Sequence, residues 1–294
     1  MKHPVCMQRL LVAALSMLCA LTSAQALAQA SYPSPEAATD ALVGALATHD
    51  DAALGHVLGK DWQRLLPTPS RGGTARTLFL EKAAQSRKVV QAEGRGTVVV
   101  GRDEWALPIP LVRAGDGWRF DPVAARKEIA TRRIGANELA AMQASLAYVD
   151  AQLEYAAQDR NGDGVLEYAR KLLSTPGKRD GLIWAAAQGN DSPLGEAFLP
   201  RQQGAGYHGY RFRILEAQGA AAPGGARSYL IGKRLLSGFA LVAWPVQYGV
   251  TGVMSFIVNQ DGVVYERDLG PSTGRVATAM TRFDPDKSWQ RIEP

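Results

Sequence analysis

NELAAMQASLAYVDAQLEYAAQDRNGDGVLEY, from Asn137 to Tyr168, is the stretch on which the fold turns. Leu139, Met142, Leu146, Val149, Leu153 and Ala156 recur at steps of three and four. That spacing predicts one apolar stripe on a helix of about six turns. Glu138, Ser145, Asp150, Gln152 and Glu154 fall off the stripe. The heptads are too few for a coiled coil and the chain runs on into β-rich sequence, so the stripe is expected to pack on a sheet.

The helix ends in Asp159-Arg-Asn161-Gly-Asp163-Gly164-Val-Leu-Glu167. Oxygen ligands at the first, third and fifth positions, a glycine at the sixth and an acid at the ninth match the first part of an EF-hand-like calcium loop. The twelfth position, which should supply a bidentate carboxylate, is Arg170. Two readings stay open. In one, Asp159, Asn161, Asp163 and Glu167 hold calcium and water completes its shell. In the other, Asn-Gly and Asp-Gly supply left-handed turn conformations and the side chains cap backbone amides. A helix-terminating turn is the expected one, with no resident cofactor.

Downstream, residues 174–206 form a long connection rich in Gly, Pro, Asp and Gln. Tyr207 to Ile214 then alternates, with Tyr210, Phe212 and Ile214 on one face and Arg211 and Arg213 on the other. Interleaved aromatics and arginines suit nucleic acid, but period-two alternation is the signature of a half-buried strand, and no nucleic-acid partner is expected. Gly238 to Val258 is nearly free of polar side chains and long enough to span a bilayer. Pro245, Gly249 and Gly252 divide it, so it reads as two buried strands, Ser237 to Trp244 and Thr251 to Asn259, and no membrane span is expected in the mature chain. Gln260-Asp261-Gly262 turns the second of these into a hairpin with Val263 to Arg267. Arg275 to Met280 predicts a short helix, and Phe283 to Trp289 a polar closing segment.

Upstream, Ser34-Pro35-Glu36 is a helix start, a second helix runs from Asp50 or Asp51 to Leu58, and a third covers Leu78 to Lys88 after a loop over Pro67 to Thr74. Thr97 to Val100, Glu104 to Val112 and Trp118 to Phe120 read as strands. Arg113-Ala-Gly-Asp-Gly117 is a hairpin turn, and Pro108 and Pro110 place the middle strand at an edge or a bulge.

The first thirty residues stand apart. Lys2 and Arg9 precede the apolar run Leu10 to Leu21, and small residues follow at Ala26, Ala28 and Ala30. This is the pattern of a secretory signal peptide cleaved after Ala28 or Ala30, which predicts a periplasmic or secreted protein. Both cysteines, Cys6 and Cys19, lie inside it, so a mature chain has no thiol chemistry. Loss of Lys2 and Arg9 takes the formal charge from +5 to +3, and the other basic residues are scattered among acids and not collected into runs, apart from short pairs such as Arg87-Lys88, Arg132-Arg133 and Lys178-Arg179. The predicted organisation is a leader over 1–30, a small α+β domain over 31–130 and a helix-plus-antiparallel-sheet domain over 131–294, within an α+β fold class.

Helices leading into a curved antiparallel sheet that ends in Gly117-Trp-Arg-Phe120 resemble the cone-shaped nuclear-transport-factor-2-like domains. Such cones often hold a pocket, for which His49, His56 and Trp62 are the candidates. One long helix, a loop and antiparallel strands, with Tyr155, DRNGDG and the Asn259-Gln-Asp261-Gly262 turn, resemble a type IV pilin or pseudopilin globular domain. Here the helix is preceded by Thr131-Arg-Arg-Ile-Gly135 and not by a hydrophobic stalk. Over nearly the whole mature chain, RRIGANELAA, YVDAQLEYA, YHGYRFRI, GGARSYL, GFALVAWPVQYGVTGVMSFIVNQDGVVYERDLG and AMTRFDPDKSW are similar to the bacterial exported family catalogued as domain of unknown function 2950. That resemblance implies export and architecture, with no activity, catalytic residues or cofactor attached.

No HExxH or Ser-x-x-Lys pattern is present, and beyond the first thirty residues the only histidines are His49, His56 and His208. The expected function is therefore a non-catalytic envelope binding or assembly-accessory module, its partner an envelope protein or a small ligand. The alternatives are a carboxylate-based hydrolase using Asp159, Asp163, Glu167, Asp261 and Glu266 with His208, and a calcium-stabilised adhesion module.

Overall fold

The computed structural model describes residues 29–66, 69–160, 162–184, 192–195, 198 and 204–292. Residues 1–28, which include both cysteines, and Asn161 lie outside the described residues, as does most of the stretch 185–203. The fold is α+β, and the chain divides into two compact units between Ile129 and Ala130.

The first unit begins with α1 (Pro35–Thr48) and α2 (Asp51–Leu58). Ser34 caps α1 by accepting from Ala37 N at 3.1 Å, and Asp50 caps α2 by accepting from Ala53 N at 2.9 Å. α3 (Pro69–Gln85) begins well before the expected Leu78, because Pro69 occupies a first-turn position where its missing N–H is not needed. The sheet that follows contains β1 (Arg87–Ala92), β2 (Arg95–Val100), β3 (Trp105–Ala106), β4 (Leu111–Ala114) and β5 (Gly117–Phe120). It is antiparallel in the order β1-β2-β4-β5, with β3 also on β2. Pro108 and Pro110 interrupt the expected middle strand and leave β3 and β4 as separate pieces. β1 is an edge strand exposed over nearly its whole length, so it carries no burial pattern that a sequence could reveal. Its turn into β2 holds Glu93 and Gly94 at φ 50° and 74°, the paired left-handed geometry of a type I′ hairpin. Leu42, Leu54, Val98, Leu111 and Phe120 meet in the core of this unit.

Next comes α4 (Pro122–Ala156), 35 residues long. Its start signal is Asp121-Pro122: the Asp121 carboxylate accepts from Val123 N at 2.9 Å and Ala124 N at 3.0 Å. Thr131 to Gly135 are thus helical and not a lead-in to the helix, with Gly135 tolerated inside it at a cost of about 1 kcal/mol relative to alanine. The buried face is also rotated from the expected stripe. Leu139 and Leu153 are half exposed, whereas Ala141, Ser145, Tyr148, Gln152 and Tyr155 are buried. Small residues at 141, 144, 145 and 151 admit close approach, and the polar tips on that face find partners. Tyr148 Oη donates to Ala240 O at 3.1 Å. Gln152 Nε2 donates to Ala169 O at 2.8 Å, and its Oε1 accepts from Ala169 N at 2.8 Å.

The second unit is built on a five-stranded antiparallel sheet. Its strands are β6 (Tyr210–Leu215), β11 (Ala240–Pro245), β12 (Met254–Asn259), β13 (Val264–Asp268) and β14 (Gln290–Ile292), in the order β14-β13-β12-β11-β6. Between β6 and β11 run the short pairs β7 (Ala217–Gln218) with β8 (Arg227–Ser228) and β9 (Leu230–Ile231) with β10 (Arg234–Leu235). Every residue of β11 is buried, which explains why its sequence is continuously apolar and not alternating. The helix α5 (Thr273–Ala279) packs on β11, and Arg213 of β6 donates to the carbonyls of Ala277 and Met280 at its C-terminus, where a cation suits the helix dipole. The closing segment is not merely polar: Phe283 is fully buried against Tyr265, and β14 adds a strand to the edge. Among the described residues no helix is long and apolar enough to cross a membrane.

Glu138 of α4 fixes the start of β12 by accepting from Val253 N at 2.8 Å and Met254 N at 3.0 Å. Burial raises the Glu266 carboxyl above its ordinary value, and the nearby Glu138 charge raises it further. The folded state therefore favours the protonated form. That contribution is complete below the usual carboxyl range and is lost as pH rises through the raised value. Glu266→Gln removes the ionisation, so thermal melts across about pH 4 to 8 are expected to show a smaller loss of Tm towards neutrality in the variant than in the parent. Parallel curves would refute the assignment.

Candidate functional site

Tyr168 pairs with Leu235 across an isolated antiparallel bridge, Tyr168 N donating to Leu235 O at 2.9 Å. This brings the chain after α4 alongside the β9–β10 hairpin, whose tight turn is Gly232-Lys233, with Gly232 at φ 64°. The result is a cavity of about 430 Å3 lined by Tyr155, Glu167, Tyr168, Arg170, Lys171, Asp180, Glu216, Lys233 and Arg234. All of these lie within the second unit.

The wall is a set of ion pairs. Arg170 Nε and Nη2 both donate to one oxygen, Glu216 Oε1, at 2.9 and 2.6 Å, and Arg170 Nη1 donates to Lys233 O at 2.8 Å. Lys171 Nζ donates to Asp180 Oδ2 at 2.7 Å and to Thr175 Oγ1 at 2.8 Å. Asp180 also accepts from Thr175 N at 2.7 Å, and the hydrogen bond from Lys171 leads the causes that hold its carboxyl well below the usual range. Arg234 pairs with Asp163 and lies 3.9 Å from Glu167 Oε2. Burial pushes the Glu167 carboxyl up, and Arg234 draws it back. Burial likewise pushes the Tyr155 hydroxyl up to about 12, with Glu167 and Asp180 adding to the effect, and this hydroxyl donates to Arg179 O at 2.8 Å. Behind it the Arg160 and Arg179 guanidiniums lie 5.6 and 5.8 Å from the Trp184 ring, within cation–π range.

The acidic loop contributes only part of this. Asp159 accepts from Gly162 N at 2.7 Å, Asp163 N at 3.3 Å and Gly164 N at 2.7 Å, while Asp163 accepts from Val165 N at 3.0 Å and pairs with Arg234. Asn161 lies outside the described residues, and of Asp159, Asp163 and Glu167 it is Glu167 that lines the cavity. Among the described residues no three His, Cys, Asp or Glu side chains gather where they could hold a metal ion. Because the Asp159 and Asp163 oxygens already serve amides and an arginine, adding calcium or a chelator is expected to leave Tm unchanged, a dose-dependent rise with calcium being the contrary result.

Of the acids proposed for hydrolysis, Asp261 is bound by Asn259 Nδ2 at 3.0 Å in its own turn and Glu266 sits on β13; neither lines this cavity. His208 occupies an exposed left-handed turn position at φ 46°. In the first unit His49 is the exposed left-handed cap of α1, His56 is exposed on α2, and Trp62 packs on the core. The cavity residues Arg170, Lys171, Asp180, Glu216, Lys233 and Arg234 were not legible as a set. Their trace in the sequence is a pair of adjacent basic residues near each bridge partner, Arg170-Lys171 after Tyr168-Ala169 and Lys233-Arg234 directly before Leu235.

No curated protein matches the chain, and no solved structure matches it. The family model described as "Protein of unknown function (DUF2950)" matches residues 29–292, nearly the whole sequence, and the chain belongs to that family.

Proposed function

We propose that the protein is an exported, non-catalytic binding module of the cell envelope that takes a small polar ligand in the charged cavity of its second unit. The leader-like first thirty residues and a remainder without cysteine support export. The observation that carries the binding reading is the cavity wall itself. Its acids and bases are mostly committed to one another, as in a preorganised recognition surface. The test is the Tm of the wild-type protein with and without a low-mass polar extract of the envelope, repeated with Lys233→Glu. Lys233 is exposed at a turn, so the variant is expected to melt like the parent when alone. The extract is expected to raise Tm in the wild type only; no rise, or an equal rise in the variant, overturns the reading.

A further inference from the structure

We infer that the ligand of this cavity carries both an ammonium and a carboxylate, in the manner of a free amino acid or a short peptide with open termini; this rests on the binding reading above. The wall presents four basic side chains and three carboxylates, so neither sign dominates. A purely anionic ligand would have to lie against Glu167, Asp180 and Glu216, and a purely cationic one against Arg170, Lys171, Lys233 and Arg234. Like-charge contact in a partly desolvated site is penalised in both cases.

The uncommitted hydrogen-bonding capacity is divided by sign as well. Arg170 spends two donors on Glu216 Oε1 and none on Oε2, which leaves a carboxylate oxygen able to accept from an ammonium. Arg170 Nη1 is anchored on Lys233 O, and the Lys233 ammonium, which also lines the cavity, has no acceptor among the described residues. Lys171 has placed two of its protons on Thr175 and Asp180 and retains a third. An acceptor oxygen and unspent ammonium protons in one cavity, beside a guanidinium held at three of its donors, suit a receptor for both signs of charge. A ligand with opposite charges at its ends satisfies both, whereas a neutral polyol would leave a charge at each end without a counterion. Small-ligand sites span about 300–1,000 Å3, so about 430 Å3 suits a ligand of amino-acid to dipeptide size.

The experiment is calorimetric titration of the full chain with a panel of dipeptides, led by alanylalanine, and with the N-acetyl form, the C-terminal amide and a neutral disaccharide as controls. At least one free dipeptide is expected to bind, and either cap is expected to weaken it about tenfold or more, the scale of one lost charge-assisted contact. Lys233→Met should weaken probes with a free carboxylate while leaving the affinity for the C-terminal amide unchanged. Caps that change affinity less than about twofold, or a disaccharide that binds equally well, overturn the zwitterion assignment. If the envelope extract still raises Tm in the wild type alone, the cavity stands as a binding site and only the ligand class falls. If no probe binds and the extract gives no rise, both inferences fall.

Discussion

Gln152→Leu is expected to lower the free energy of unfolding by about 2–4 kcal/mol, although it replaces a polar side chain with an apolar one of similar size at a fully buried position. The Gln152 amide acts as a short piece of β-ladder. Its oxygen accepts from Ala169 N and its nitrogen donates to Ala169 O, both at 2.8 Å, and the nitrogen also donates to Tyr148 Oη at 3.0 Å. Leucine leaves the N–H and C=O of Ala169, itself buried, without partners, and each orphaned group costs about 1–3 kcal/mol. Tyr148 loses less, because its hydroxyl still donates to Ala240 O. Denaturant unfolding followed by far-UV circular dichroism reads the difference, and a loss under about 1 kcal/mol would mean that water replaces the amide.

Gln152→Glu separates this account from one based on packing. The carboxylate can accept from Ala169 N but cannot donate to Ala169 O, so at neutral pH a charge is buried against a carbonyl. Burial raises the pKa of the new acid, and the protonated form restores a donor. The variant should therefore be the less stable of the two at neutral pH and should regain stability as pH falls through the raised value. A pH-independent deficit would mark the position as simple packing.

Gln152 also shows where reading the sequence stops. Period three-four spacing is enough to place a helix over Asn137 to Ala156, and bounded apolar runs are enough to place β11, β12 and β13. Which helical face is buried depends on what packs opposite, and here alanines and hydrogen-bonded Tyr148 and Gln152 displace the leucines that the stripe favoured. The early start of α4 escaped for a related reason. Its first turn, Pro122-Val-Ala-Ala125, is short and the next is charged, so no long apolar stripe marks it, and Asp121-Pro122 reads equally well as the end of the preceding strand. The cavity was beyond reach because its lining residues lie in five sequence segments that only tertiary pairing unites. Arg170, which spoils the calcium pattern at the twelfth position, turns out to be the residue that anchors Glu216 and the Lys233 turn.

Gly252→Ala is expected to be among the most damaging single-methyl changes in the chain, at about 3 kcal/mol or more. A Cβ at this position would lie 2.1 Å from Tyr210 Oη, 2.6 Å from Cζ and 2.7 Å from Cε2, all inside contact distance. The tyrosine cannot yield. Its side chain is fully buried, its ring packs on Phe256, and its hydroxyl donates to Met254 O at 2.8 Å. The glycine cannot readily move either, since its carbonyl accepts from Gly249 N at 2.8 Å in the turn that joins β11 to β12. Tyr210→Phe in the same background removes the nearest atom but leaves Cζ in place, so it should restore part of the loss even though alone it destabilises by forfeiting the bond to Met254. A double-mutant cycle is therefore expected to give a favourable coupling of about 0.5–3 kcal/mol between the two positions. Additive losses would show that the β11–β12 turn absorbs the methyl by moving as a unit, in which case Gly252 is needed for the turn and not for the tyrosine.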